Sequence, residues 1–158
     1  NINYFIINQP KINSILQSIK DKYDYKNLII LNNTSEISNN KYDFVFFGST
    51  LQYLDNYEET LSSILPLTSK YILFSATHFF RSNLFLKDLV VKQLNYLPKI
   101  YFFYFLNLDN ITNILEKYGF KKEFNSLNES FPSSYSAFEN LKLDNIKYSD
   151  ILFSKNFN

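Results

Sequence analysis

The chain has 158 residues, room for one domain with a substantial core, and 46% hydrophobic against 20% charged residues is an ordinary globular balance. Sixteen basic and fifteen acidic residues leave a formal charge of +1 with no long basic run, so the electrostatic footprint of a nucleic-acid binder is missing. The absence of cysteine excludes disulfides, thiolate catalysis and cysteine metal sites, and a single histidine, His78, excludes a histidine-rich metal centre. A carboxylate-only magnesium or calcium site stays open, but no EF-hand-like spacing supports one, and no metal is assigned.

Thirteen Tyr and 17 Phe, without Trp, make an unusually aromatic chain. Together with abundant Asn, Lys and Ile this is the codon bias of an AT-rich genome more readily than an aromatic binding surface. The sequence opens Asn1-Ile2-Asn3, without Met, without a basic-then-apolar leader and without an 18-residue apolar run. The expectation is a cytoplasmic chain, N-terminally incomplete, with no transmembrane segment.

Tyr4-Phe5-Ile6-Ile7 is a short apolar run of strand formers, the pattern of a strand covered on both faces. Pro10 suits the first turn of a helix, and Ile12, Ile15, Leu16 and Ile19 follow at helical spacing and form one apolar face. Leu28 to Leu31 is a second strand, ended by Asn32-Asn33-Thr34, and Tyr42 to Phe47 is a third, closed by Gly48-Ser49-Thr50. Leu61, Ile64 and Leu65 mark a helix over Tyr57 to Leu65, and Tyr71 to Phe74 is the fourth strand.

Residues 76–107 read as a variable insertion carrying a helix near Phe85 to Leu94. Within it, Tyr101 to Phe105 is a buried strand or helix edge, or else an acceptor- or membrane-facing lid. Leu108 to Tyr118 is a clearer helix with Ile111, Ile114 and Leu115 inward, and Gly119 is its stop. Phe120 to Leu127 and Lys147 to Ser154 are two closing strands with a polar Ser/Asn/Pro loop between them, close enough for an antiparallel pair. Ser133 to Ser136 belong to that loop. Alternation of strand and helix gives an α/β fold, mostly parallel, closed by the antiparallel pair, in one domain over 1–158.

The segment Tyr42-Asp43-Phe44-Val45-Phe46-Phe47-Gly48-Ser49-Thr50-Leu51-Gln52-Tyr53-Leu54-Asp55 resembles the stretch after strand 4 in a methyltransferase family found among bacterial surface-polysaccharide genes. Val91-x-Gln93, Ile100-Tyr101 and Tyr118-Gly119-Phe120 follow in the order of that family. The likeness spans nearly the whole chain, with Leu51-Gln52-Tyr53 its specific part. It implies a Rossmann-like class I methyltransferase fold that lacks the first strand and its glycine-rich loop, with S-adenosylmethionine as cofactor.

In an open parallel sheet, ligands bind outside the carboxyl ends of the strands. The loops after Ile7, Leu31 and Phe47 are those ends, so Asn8, Asn32, Gly48, Ser49, Gln52 and Tyr53 are the candidate cofactor residues. Gly48 would let the backbone approach the ligand, Ser49 and Gln52 would hydrogen-bond its amino-acid end, and Tyr53 would stack or close the pocket. The plainer alternative is a strand-to-helix turn with Gly for the bend and Ser or Thr as cap.

The chain departs from the family pattern in two places. Asn8 stands where an acidic residue usually grips the ribose, and Ser75-Ala76-Thr77-His78-Phe79 replaces Asp-Arg-Thr-Pro-Phe. His78 is the catalytic candidate, as a base toward an attacking hydroxyl, with a structural histidine as the alternative. Glu58-Glu59 fits the positive end of a helix.

The functional expectation is methylation of a glycan or glycan precursor, or of another small molecule. Nucleic acid is not a partner, peripheral membrane contact stays open, and the oligomeric state is not readable. The rival expectations are a non-catalytic domain that keeps the fold and binds a partner, and a nucleotide-binding half of a glycosyltransferase.

Overall fold

The computed structural model describes residues 2–37, 40–81, 87–96, 99–127 and 146–155. Its contacts divide the chain into two compact units, Asn1–Asn40 and Lys41–Asn158.

The first unit holds strand β1 (Tyr4–Ile7), helix α1 (Pro10–Tyr23), strand β2 (Leu28–Leu31) and a 3-10 turn, Thr34–Glu36. β1 and β2 run parallel, from Tyr4 beside Leu28 to Ile7 beside Leu31. Pro10 opens α1, where its missing N–H costs nothing, and Lys20 and Lys22 complement the negative end. Asn13 is buried on α1, and its Nδ2 donates to the Leu31 carbonyl at 2.9 Å, tying helix to strand. The apolar stripe of α1 is largely open: Ile12, Ile15 and Ile19 are exposed, and Leu16 is half-buried. Two four-residue strands are too narrow a platform to cover the stripe.

The second unit holds β3 (Tyr42–Gly48), a 3-10 turn (Leu51–Tyr53), α2 (Tyr57–Ile64), a 3-10 turn (Leu65–Leu67), β4 (Thr68–Phe80), β5 (Leu89–Tyr96), β6 (Lys99–Asn107), α3 (Leu108–Lys117), β7 (Phe120–Leu127) and β8 (Lys147–Lys155). β4 is the spine. β8 lies antiparallel along one edge of it, so the other edge is divided between β3, parallel along Thr68 to Ser75, and β6, parallel at Phe79 and Phe80. β5 pairs antiparallel with β6 and β7 antiparallel with β8. The closing antiparallel pair thus agrees with the sequence reading. The sheet as a whole is mixed rather than mostly parallel, because β5–β6 and β4–β8 are antiparallel too.

Two further readings are corrected. The helix expected near Phe85 to Leu94 is a strand where the structure describes it, from Leu89 onward. Leu89 and Val91 are packed against the buried Phe80, Phe103, Phe105 and Ile146 while Val90 points outward, a period of two rather than 3.6. The fourth strand extends from Thr68 to Phe80, well beyond Tyr71 to Phe74. Ser133 to Ser136 and the rest of 128–145 lie outside the described residues.

The core of this unit forms where α2 and α3 lay their apolar faces down: Leu51, Leu61, Leu65, Ile72, Ile111, Leu115 and Ile151 are fully buried. Phe74 sits among Phe47, Phe79 and Phe153 with ring centroids 5.4 to 6.1 Å apart. Asn107 caps α3 by accepting from the N–H groups of Asp109 and Asn110. Gly119, at φ +84°, ends the helix in the left-handed conformation glycine favours.

Candidate functional site

The site candidates of the second unit gather where β3 ends. Ser49 takes φ +50° and its N–H reaches the Ser75 carbonyl at 2.8 Å, carrying the β3–β4 ladder one step past Gly48. Thr50 Oγ1 donates to the Gly48 carbonyl at 2.7 Å, and the chain winds into the Leu51–Tyr53 turn. Leu51 is the apolar anchor of that turn, fully buried beside Gln52.

Gln52 is 0% exposed. Its Nε2 donates to Ser49 Oγ at 3.1 Å and to the Ala76 carbonyl at 3.2 Å. A carbonyl can only accept, so Ala76 fixes which way the amide points. Gln52 Oε1 is then a buried acceptor that no donor reaches among the described residues. Such an atom costs about 1–3 kcal/mol unless something satisfies it. It marks the turn as a place for a donor group.

The Ala76 side of the turn is a β-bulge. Phe74 pairs with Ile151 and Thr77 with Ser149, so Ser75 and Ala76 together oppose Asp150 alone. Ala76 takes φ +49° there. Asp150 Oδ1 accepts from Ser75 Oγ and from the Ala76 N–H, each at 2.8 Å. Sequence reading missed Asp150, which lies 75 residues from Ser75 along the chain. The one available signal was a carboxylate directly before the apolar run Ile151-Leu152-Phe153 of a closing strand.

Tyr53 is 46% exposed, its ring 6.2 Å from that of Phe103. At Gly48, a Cβ would fall 2.7 Å from the Phe46 ring, so the glycine makes room for that ring. His78 lies inside β4, two residues beyond Ala76, and is nearly fully buried. Its ring sits 3.7 Å from that of Tyr148 and within 5.4 Å of those of Phe103 and Phe105. Burial pushes the imidazole down to about 4, so it is neutral at physiological pH.

Asn8 and Asn32 belong to the first unit, directly after the paired Ile7 and Leu31. Asn8 Oδ1 accepts from the Gln9 N–H at 3.0 Å. Asn32 donates from its backbone and from Nδ2 to the Glu36 carboxylate, each at 3.1 Å. Asn33 Oδ1 accepts from the Ser35 N–H at 2.9 Å, and Glu36 stands three residues after this cap. That spacing is a capping-box signature readable in the sequence, and it places a carboxylate on Asn32 that sequence reading overlooked.

A second polar cluster ties the hairpin to the helices. The Tyr57 hydroxyl donates to Asp88, whose other oxygen accepts the Asn107 N–H. Asn110 Nδ2 reaches the Tyr57 hydroxyl at 3.2 Å and Glu58 at 3.3 Å. Burial raises both Tyr57 and Asp88 above their ordinary ranges. Among the described residues no group of three or more His, Cys, Asp or Glu could hold a metal ion, and no helix is long and apolar enough to cross a membrane.

No protein-family model and no curated protein matches the chain. Solved structures do. A chain from Listeria monocytogenes, provisionally named an S-adenosylmethionine-dependent methyltransferase, aligns over 98% of this chain and 81% of its own, with 13% identity and a TM-score of 0.65. The [4+2]-cyclase SpnF aligns over 99% and 67%, with 9% identity and a TM-score of 0.64. Magnesium protoporphyrin IX methyltransferase from Synechocystis PCC 6803, with bound S-adenosylmethionine, aligns over 98% and 60%, with 12% identity and a TM-score of 0.59. This chain therefore spans less than two thirds of that enzyme. At such identities the likeness carries architecture alone: the chain has the fold of class I S-adenosylmethionine-dependent methyltransferases.

Proposed function

We propose that the chain is a methyltransferase-like protein that binds S-adenosylmethionine at the carboxyl ends of its parallel strands. The observation that carries this reading is Gln52 Oε1, a fully buried acceptor in the turn after β3, aimed by Ala76 and without a donor among the described residues. An ammonium group satisfies such an atom. The cofactor, when bound, supplies an electrophilic methyl group. Gln52 would accept from its amino-acid end and the exposed face of Tyr53 would stack beside it, while Asn8 and Asn32, in the other unit, are ribose candidates by their place after strand ends alone. Ser49 and Gly48 shape the turn.

Methyl transfer would then rest chiefly on holding the acceptor hydroxyl or amine in line with the methyl group. His78, already neutral, is the proposed proton acceptor, a weak one given its depressed basicity. The acceptor we propose is a glycan or glycan precursor; the Leu51-Gln52-Tyr53 resemblance to the surface-polysaccharide family is its sole support.

A second reading is a domain that keeps the fold without methyl transfer. Asn8 in place of an acid and Ser75-Ala76 in place of Asp-Arg favour it, and a neighbour bearing the name of a cyclase fits it. Calorimetric titration with S-adenosylhomocysteine, on this chain and on an N-terminally extended form, separates the two. Micromolar binding in either supports the cofactor, and transfer of labelled methyl to a glycan acceptor supports the enzyme. Absence of binding in both leaves the non-catalytic domain. Unchanged affinity after Asn8→Ala with Gln52→Ala would remove the site assignment.

A further inference from the structure

Gln52 owes its orientation to a residue on a different strand. Its Nε2 has two acceptors, Ser49 Oγ and the Ala76 carbonyl, and both belong to residues in the left-handed region, Ser49 at φ +50° and Ala76 at φ +49°. Neither is glycine, so neither conformation is intrinsically favoured. Ser49 is held by its N–H bond to Ser75. Ala76 is held by Asp150, whose Oδ1 takes both the Ala76 N–H and the Ser75 hydroxyl at 2.8 Å. Asp150 is also the single residue that β8 sets against the two-residue bulge. Its carboxylate therefore occupies the place where a second ladder partner would stand.

We propose that Asp150 is the positioning residue of this site: by clamping the Ser75–Ala76 bulge it turns the Ala76 carbonyl onto the Gln52 amide and leaves Gln52 Oε1 presented to a cationic or N–H donor group of the ligand. The role as ligand site rests on the cofactor reading above; the clamp does not. Without the carboxylate, the Ala76 N–H loses its acceptor and the bulge is free to leave the left-handed conformation. The Gln52 amide then loses the one partner that distinguishes its nitrogen from its oxygen, and its acceptor is no longer directed.

Asparagine keeps an Oδ1 acceptor and removes only the charge, so Asp150→Asn separates geometry from electrostatics. The experiment compares parent, Asp150→Asn, Asp150→Ser and Asp150→Ala by NMR of the Gln52 side-chain amide, identified by its loss in Gln52→Ala, and by titration with S-adenosylhomocysteine. Expected are slowed exchange of the Gln52 amide protons in parent and Asp150→Asn and its loss in Asp150→Ala. S-adenosylhomocysteine affinity should fall about tenfold in Asp150→Ala and in Gln52→Ala, the size of one hydrogen bond, with no further fall in the double variant. Asp150→Ser, which keeps a small polar side chain, replaces Asp150→Ala if the latter does not fold. Unchanged Gln52 amide exchange in the truncated variant overturns the proposal, and so do fully additive losses of affinity. If the parent itself does not bind S-adenosylhomocysteine, the cofactor reading falls, while the amide exchange still decides the clamp.

Discussion

At Ala76 a Cβ is carried in the left-handed region, where it costs about 1–2 kcal/mol. Ala76→Gly removes that cost and adds some freedom to the unfolded chain, so the net expectation is a gain of about 0.5–1 kcal/mol in denaturant unfolding. A loss of stability would mean that the alanine methyl packs usefully. His78 makes a pH prediction. Its folded value lies near 4, below the ordinary 6.5 of a histidine, so the folded state favours the neutral ring. That contribution is complete above pH 6.5 and is lost as pH falls toward 4; its full size is on the order of 3 kcal/mol. Asp88, raised by burial, acts in the opposite sense, since protonation relieves it. The His78 share is therefore read as a difference: thermal midpoints of His78→Phe should fall less between pH 6.5 and 4 than those of the parent. Equal slopes would show an imidazole that protonates freely. At this scale the sequence revealed Ser49 and Gln52, three residues apart on one turn. Asp150 was hidden because a bulge partner is set by strand register, which no local pattern encodes.

Among the elements, α2, α3 and the strands around them were legible because each kept its own period. Ile111 and Leu115, and Leu61 and Leu65, are four residues apart and all are buried. The hairpin was not. Lys87, Asp88 and Lys92 interrupt its apolar residues at intervals that imitate a helix face, although Leu89 and Val91 alternate with Val90 as a strand requires. β4 was cut short for a related reason, since the Ser75–Ala76 bulge breaks its alternation in the middle. The hairpin also owes its placement to the Tyr57–Asp88–Asn107 bonds, which fasten its start to the first residue of α2 and the cap of α3. Tyr57→Phe removes the hydroxyl that Asp88 accepts from. It should destabilise the protein by about 1–2 kcal/mol in urea unfolding, while the far-ultraviolet circular dichroism stays unchanged. A cost near zero would mean that water replaces the hydroxyl without loss.

For the whole chain, the strand orders speak to the fold. β1 and β2 form a parallel pair of their own, and β3 through β8 form a mixed six-stranded sheet built around β4. Which surfaces stay open was not legible, because periodicity shows which residues form a stripe and not whether anything covers it. The α1 stripe is the example, and Phe44 and Phe46 on β3 are exposed as well. Apolar area of this kind behaves as adhesive in concentrated solution. The protein should light up the dye ANS in its native state and elute late from a hydrophobic column, more so as ammonium sulfate rises. Ile12→Lys with Ile15→Lys should abolish much of both signals at little cost to the thermal midpoint. An unfolded double variant would instead mean that the stripe is buried within the native protein. The uncovered helix face thus governs how the molecule is handled in purification as much as how it folds.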